Sequence, residues 1–99
     1  MDLREYNDPF GRSPYASWFD RLNAQAAAKV AAALTRLALG NFSNVKGVGS
    51  GVFEYRIDFG PGYRVYFGKD GERLVILRGG GTKKRQPQDI SAATANWLD

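Results

Sequence analysis

Two neighbouring segments of the second half, residues 53–59 and 63–67, alternate apolar and polar side chains on either side of a Gly-Pro-Gly turn. A period of two residues predicts half-buried strands, and the turn between them predicts a hairpin. A third strand is predicted at 73–78, and its near-continuous apolar run indicates a central position in the sheet. The polar face of these strands is expected to display Glu54, Arg56, Arg64 and Tyr66, together with Arg78 if the register permits. Such a face either binds RNA or is an exposed surface with ordinary cross-strand ion pairs.

Basic residues also cluster directly after the third predicted strand. Arg78, Lys83, Lys84 and Arg85 lie within eight positions that contain no acid, and the whole chain carries a formal net charge of +4. Such an excess suits a polyanionic partner, although a basic run is also compatible with a solvated surface. Lys46, in a segment 44–51 that we expect to be a flexible loop, is a further candidate RNA contact or else a solvated lysine.

Phosphate chemistry fits this set of side chains, because arginine offers a planar fork of donors matched to phosphate oxygens. Cleavage of RNA by the neighbouring 2′-hydroxyl needs a base, positive charge for the phosphorane and an acid for the leaving oxygen. Histidine usually supplies the base and the acid, but the chain contains no histidine. The remaining candidates for the base and the acid are Glu54, Tyr66, and either Lys83 or Lys84. The free pKa values of these residue types lie well away from 7, so the isolated protein should be a poor catalyst.

Several other chemistries are excluded or improbable. The chain has no cysteine, which excludes disulfides and thiolate catalysis, and without histidine a zinc site is improbable. Residues 79–84 (GGGTKK) do not match the phosphate-binding loop GxxxxGK[ST], so close backbone approach or a bend at the strand end is the better interpretation of the glycines. We expect no cofactor, no metal and no membrane segment, and a cytoplasmic location.

The remaining elements complete an α+β domain. Residues 2–6 fit a first strand weakly, Ser13-Pro14 predicts a helix start, and the alanine-rich run 24–39 predicts a second helix that ends at Gly40-Asn41. Ile90, Ala93 and Trp97 recur at the spacing of a C-terminal helix. The order β-α-α-β-β-β-α over residues 1–99 predicts one domain with a mainly antiparallel sheet packed by helices.

These residues carry a family resemblance that spans almost the whole chain. Gly40-Asn41-Phe42, Lys46-Gly47, VFEYRIDFGPGYRVYF (52–67) and LVILRGGGTKKRQPQDI (74–90) resemble the RelE/ParE toxin superfamily, and within it the phage-derived addiction-module killer branch, which is HigB-like. The resemblance implies a microbial-ribonuclease-like fold and a toxin of a type II toxin–antitoxin pair. Such a toxin cleaves mRNA in the ribosomal A site and is neutralised by an antitoxin, usually a helix-turn-helix protein from the same operon.

The resemblance also assigns roles to individual positions. Arg64 matches the family's arginine that contacts the scissile phosphate, Arg56 falls where relatives place a catalytic lysine, and Lys84 falls near their late basic residue. Glu54 occupies a position where some relatives have another lysine. Ile90 lies about where the best-studied relatives carry a catalytic tyrosine, so their acid–base assignment does not transfer whole.

Two other functions remain open at this point. The same superfamily contains ParE-type toxins, which poison DNA gyrase and are not nucleases, and a fold alone does not separate them from the nucleases. The arginines at 56 and 64 and the basic cluster 83–85 favour RNA cleavage. A non-catalytic RNA-binding module is the third possibility.

Overall fold

The computed structural model describes residues 1–81 and 83–99, so Thr82 of the glycine–lysine segment lies outside the described residues. The chain forms an α+β fold with a five-stranded sheet. The strands are β1 (Asp2–Glu5), β2 (Val45–Gly49), β3 (Val52–Ile57), β4 (Tyr63–Asp70) and β5 (Arg73–Gly80). The helices are α1 (Pro14–Phe19), α2 (Ala24–Ala38) and α3 (Gln86–Leu98), and a 3₁₀ turn at Lys83–Arg85 precedes α3.

Side-chain caps explain where the first two helices begin. The Ser13 hydroxyl accepts a 3.0 Å hydrogen bond from the amide of Ala16, and the Asn23 side chain accepts one of 2.9 Å from the amide of Ala26. Each bond satisfies an amide that the helix itself leaves unpaired. Gly40 follows α2 with φ of 96°, a left-handed conformation that glycine adopts readily. The predicted tandem helices are confirmed.

The sheet has the strand order β1-β5-β4-β3-β2, which places β1 and β2 at its edges. β1 pairs parallel to β5, and the other neighbouring pairs are antiparallel. The mainly antiparallel sheet is therefore confirmed. β5 is an interior strand between β1 and β4, whereas the central strand is β4. β3 ends at Ile57, two residues before the predicted end, because the chain turns toward β4.

The prediction of a flexible loop over 44–51 is wrong, because most of this segment forms β2. The glycines and the serine of this segment indicate a loop when only the local sequence is considered. The strand exists because β3 offers a hydrogen-bonding partner, with Lys46 opposite Glu54 and Gly47 opposite Phe53. Tertiary pairing of this kind often overrides local strand propensity. Residues 49–51 then turn the chain, and each has a positive φ.

Gly79 and Gly80 do not break the third predicted strand, since β5 continues to Gly80. The glycines instead permit a close approach to the backbone, and the approaching groups are side chains. A Cβ atom on Gly79 would lie 2.0 Å from Cε3 of Trp18, and one on Gly80 would lie 2.3 Å from Oδ2 of Asp89.

The sheet lies between two helical layers. One face packs on α1 and α2 through a cluster that includes Leu37, Tyr55 and Phe67. The other face packs on α3 through Ala93 and its neighbours. Trp97 anchors the far end of α3, because a Cβ atom on Gly68 of β4 would lie only 2.4 Å from the indole ring.

Candidate functional site

A polar cleft opens on the α3 side of the sheet, where β2, β3 and β4 meet the start of α3. Its volume is about 380 Å³. The residues that line this cleft are Ser43, Asn44, Val45, Lys46, Glu54, Arg56, Arg64, Lys83 and Gln86. Five of the site residues predicted from the sequence, at positions 46, 54, 56, 64 and 83, are therefore brought together in one place.

Glu54 and Arg64 form the buried centre of the cleft. Nε of Arg64 lies 3.6 Å from Oε1 of Glu54, and the two side chains are only 12% and 3% exposed. The side-chain amide of Gln86 donates a 2.6 Å hydrogen bond to Oε2 of the same carboxylate. Both oxygens of this buried carboxylate therefore have partners in the protein. This geometry favours a role in positioning Arg64 and Gln86 over a role as the general base for a substrate hydroxyl.

Arg56 and Arg64 are direct neighbours across the β3–β4 ladder. Like charges placed opposite each other on adjacent strands destabilise a sheet unless another group offsets them. Glu54 offsets the charge of Arg64, whereas Nε of Arg56 contacts Asp58 at 3.4 Å with both side chains largely exposed. Nε of Arg64 is also buried without a hydrogen-bond partner among the described residues. An anion bound between the two guanidinium groups would relieve their repulsion.

Two lysines complete the positive charge of the cleft. Nζ of Lys46 lies 3.7 Å from Oε1 of Glu54, and its side chain is 66% exposed. Lys83 reaches the cleft from the exposed 3₁₀ turn. Lys84 and Arg85 are exposed on the same turn, but the cleft lining, as far as the structure describes it, does not include them. Of the predicted basic cluster, Lys83 thus contributes most directly.

Tyr66 lies beneath the cleft, where its side chain is fully buried. This burial argues against the predicted contact of Tyr66 with RNA. Strand alternation places Tyr66 on the predicted face, but helix α3 covers that part of the face. Within the described part of the chain, its hydroxyl makes no hydrogen bond. Burial, followed by the nearby carboxylates of Glu54 and Asp89, raises the pKa of Tyr66 well above its usual range.

Arg78 is positioned by a bulge in the β4–β5 ladder. The register shifts so that Phe67 faces Ile76 while Tyr66 faces Arg78. The bulge brings Arg78 onto the α3 side as predicted, but there its guanidinium forms a 3.1 Å ion pair with Oδ1 of Asp89. The Arg78 side chain is 28% exposed. Its clearest role is therefore to join β5 to α3 beside the cleft.

Sequence reasoning missed Gln86 and Asp89. Helical periodicity could have identified them. Gln86 and Asp89 extend the stripe of Ile90, Ala93 and Trp97 back to the first turn of α3. A polar pair at the start of an apolar stripe faces the sheet like the rest of the stripe. Both residues meet charged groups there.

The arrangement can bind an anion of the size of a phosphodiester group through two arginines and two lysines. Over residues 1–81 and 83–99, no three acidic side chains gather as metal ligands. No helix in the same residues has the length and apolar character needed to cross a membrane.

No protein-family model matches the chain. It is 48% identical over 80 residues to an uncharacterized protein of Haemophilus influenzae, and the aligned region covers 80% of this chain and 81% of that protein.

Proposed function

This chain belongs to the same protein family as the Haemophilus influenzae protein, and from its cleft we propose that it is the toxin of a type II toxin–antitoxin pair with a RelE-like, HigB-like fold. The toxin acts in the cytoplasm as a ribosome-dependent endoribonuclease that cleaves mRNA in the A site. The observation that carries the proposal is the direct opposition of Arg56 and Arg64 in a cleft that Lys46 and Lys83 also line.

The proposed reaction is an attack of the RNA 2′-hydroxyl oxygen on the adjacent phosphorus. The bond from phosphorus to the 5′-oxygen breaks, and the products are a 2′,3′-cyclic phosphate and a 5′-hydroxyl end. The guanidinium groups of Arg64 and Arg56 stabilise the charge that develops on the phosphorane, which is where preorganised donors contribute most to a rate. Glu54 holds Arg64 in place and Gln86 holds Glu54, so both are positioning residues.

Proton transfer is the weak step of this site. Lys83 is the lysine candidate that lines the cleft, and Lys84 lies beyond it on the exposed turn. An efficient general base has a pKa near the working pH, and the chain contains no histidine to supply one. The ribosome compensates by holding the RNA so that the 2′-hydroxyl, phosphorus and 5′-oxygen are aligned. This explains why a chain without histidine depends on the ribosome.

The partner that follows from this function is an antitoxin, which in this branch is usually a helix-turn-helix protein encoded next to the toxin. Expression of the chain alone should arrest growth, and co-expression with the product of the adjacent gene should restore it. Free expression at a high level without a partner and without a growth defect would contradict a toxin.

Primer extension on mRNA from expressing cells tests the nuclease activity. Cuts within translated codons are expected, with a loss of about 100-fold or more in Arg64→Ala, the scale seen when one transition-state donor is removed. Arg73→Ala is the matched control, because Arg73 lies outside the cleft, at the start of β5, and its side chain is 51% exposed beside Asp2. Intact transcripts together with double-strand DNA breaks would instead identify a gyrase poison. RNA binding without cleavage would identify a non-catalytic module.

A further inference from the structure

A second concavity lies on the other side of the edge strand β2. This aromatic pocket is formed by Phe42, Phe53 and Phe67, with Gly47 in its wall and Lys46 and Lys69 at its rim, and its volume is about 230 Å³. It faces the α2 side of the sheet, because Gly47 pairs with Phe53 and Phe53 pairs with Phe67. The cleft lies on the opposite side, where Lys46 pairs with Glu54.

The aromatic pocket and the cleft lie on either side of β2 and share two lining residues. Val45 and Lys46 line both of them. In the described part of the chain β2 is an edge strand, and its neighbour in the sheet is β3. A single strand of RNA with a phosphate at Arg56 and Arg64 would reach the pocket by passing over the edge strand β2.

The composition of the pocket matches a nucleobase. The rings of Phe53 and Phe67 are stacked with centroids 5.6 Å apart. Phe67 is buried, whereas Phe42 is 38% exposed, so Phe42 offers the accessible aromatic surface. Nζ of Lys69 lies 5.9 Å from the centroid of Phe42. Aromatic faces stack on any base, and lysines at the rim attract the phosphates that flank it, which is how single-stranded nucleic acids are commonly held. Gly47 leaves room in the pocket because it has no side chain. A Cβ atom at this position would lie 3.9 Å from the ring of Phe53.

We propose that the aromatic pocket is a nucleobase subsite, which stacks one base of the same RNA strand whose phosphate Arg56 and Arg64 bind. This inference rests on the proposed nuclease function and adds to it a place where a base is held. The subsite uses the exposed ring of Phe42 and the charge of Lys69, and neither residue lines the cleft.

The test is RNA binding by the purified protein, measured by fluorescence anisotropy with a labelled single-stranded hexanucleotide. The same RNA is then used with one base removed at each position in turn. Wild type should lose about tenfold in affinity at one position, which is the scale of one base–aromatic stack. Phe42→Ala should lose a similar factor on the complete RNA and become insensitive to removal of that same base.

Three variants keep the result interpretable. Phe42→Trp retains a stacking face and should bind like wild type, whereas Gly47→Leu fills the pocket and should behave like Phe42→Ala. Phe10→Ala is the matched control, because Phe10 is 81% exposed and also lies beside a cation, with Arg12 at 5.8 Å from its ring. Phe10→Ala should leave RNA affinity unchanged. A thermal melt of each variant checks that it is folded.

Arg64→Ala separates failure of the subsite from failure of the nuclease. It should weaken binding of every RNA by the same factor, with or without the base. If Arg64→Ala weakens binding but Phe42→Ala binds complete and base-deleted RNAs as wild type does, the subsite is overturned and the nuclease proposal stands. Equal weakening of all RNAs by Phe42→Ala also overturns a nucleobase subsite. If wild type binds no RNA, the nucleobase subsite is overturned, whereas the ribosome-dependent nuclease is decided separately by primer extension on mRNA from expressing cells.

Discussion

Gln86, the first residue of α3, donates a 2.6 Å hydrogen bond from its side-chain amide to Oε2 of Glu54 in β3. The other oxygen of this carboxylate faces Arg64. A single buried carboxylate therefore joins the C-terminal helix to the arginine that we assign to the scissile phosphate. Docking of α3 and orientation of Arg64 are coupled through this contact.

Gln86→Leu should lower the free energy of unfolding by about 1–3 kcal/mol, because it leaves a buried carboxylate oxygen without its donor. Cleavage should fall as well, since Glu54 is then free to turn away from Arg64. Chemical denaturation and a cleavage assay on ribosome-bound mRNA measure the two effects. Gln88→Leu is the matched control, because Gln88 is exposed two residues along the same helix. Equal stability of the two variants would contradict the coupling.

Glu54→Gln distinguishes a positioning residue from a general base. If Glu54 positions Arg64, the variant should cleave roughly tenfold to 100-fold more slowly, on the scale of a lost outer-shell partner, with an unchanged shape of the pH–rate profile. The variant should also be less stable by about 3 kcal/mol, because it leaves Arg64 as an uncompensated buried charge. A pH–rate profile that loses its acid limb in Glu54→Gln would instead identify Glu54 as the base.

Gly79→Ala should strongly destabilise the protein, because a Cβ atom there would lie 2.0 Å from the indole of Trp18. Overpacking of this kind costs about 1–3 kcal/mol and occasionally more. Gly81→Ala is the control within the same glycine run, since a Cβ atom at position 81 meets no atom of the described residues within 4 Å. Thermal melts of the two variants should differ clearly, and similar melting temperatures would refute the proposed close contact with Trp18.

Tyr15 should make the folded chain sensitive to alkaline pH. Burial, with a smaller contribution from Glu5, raises the pKa of Tyr15 from its ordinary value of 10.0 to about 12. Between these two values the unfolded chain loses the proton while the folded chain keeps it, so stability falls as pH rises. In Tyr15→Phe, the free energy of unfolding should therefore fall less between pH 10 and pH 12 than in wild type, by up to about 2 kcal/mol. Denaturant titrations at several pH values measure the slope, and an unchanged slope would contradict the prediction.

The positions and types of most elements could be predicted from the sequence, because they depend on local patterns. Ser13 and Asn23 cap helices through side chains that reach only three residues ahead. The alternation in β3 and β4 likewise assigned Arg56 and Arg64 to one face, and the register places them directly opposite each other. The segment of β2 has no such local pattern, because its extended form depends on pairing with β3.

What the sequence by itself determined is which residue types share a face, since strand alternation is a property of the backbone. Only the tertiary structure decided which part of that face is accessible. Helix α3 covers Tyr66 and engages Arg78 through Asp89, while it leaves Arg56 and Lys46 open to solvent. The physical reason is that burial depends on what packs against a strand from a distant part of the chain, and alternation carries no information about that partner.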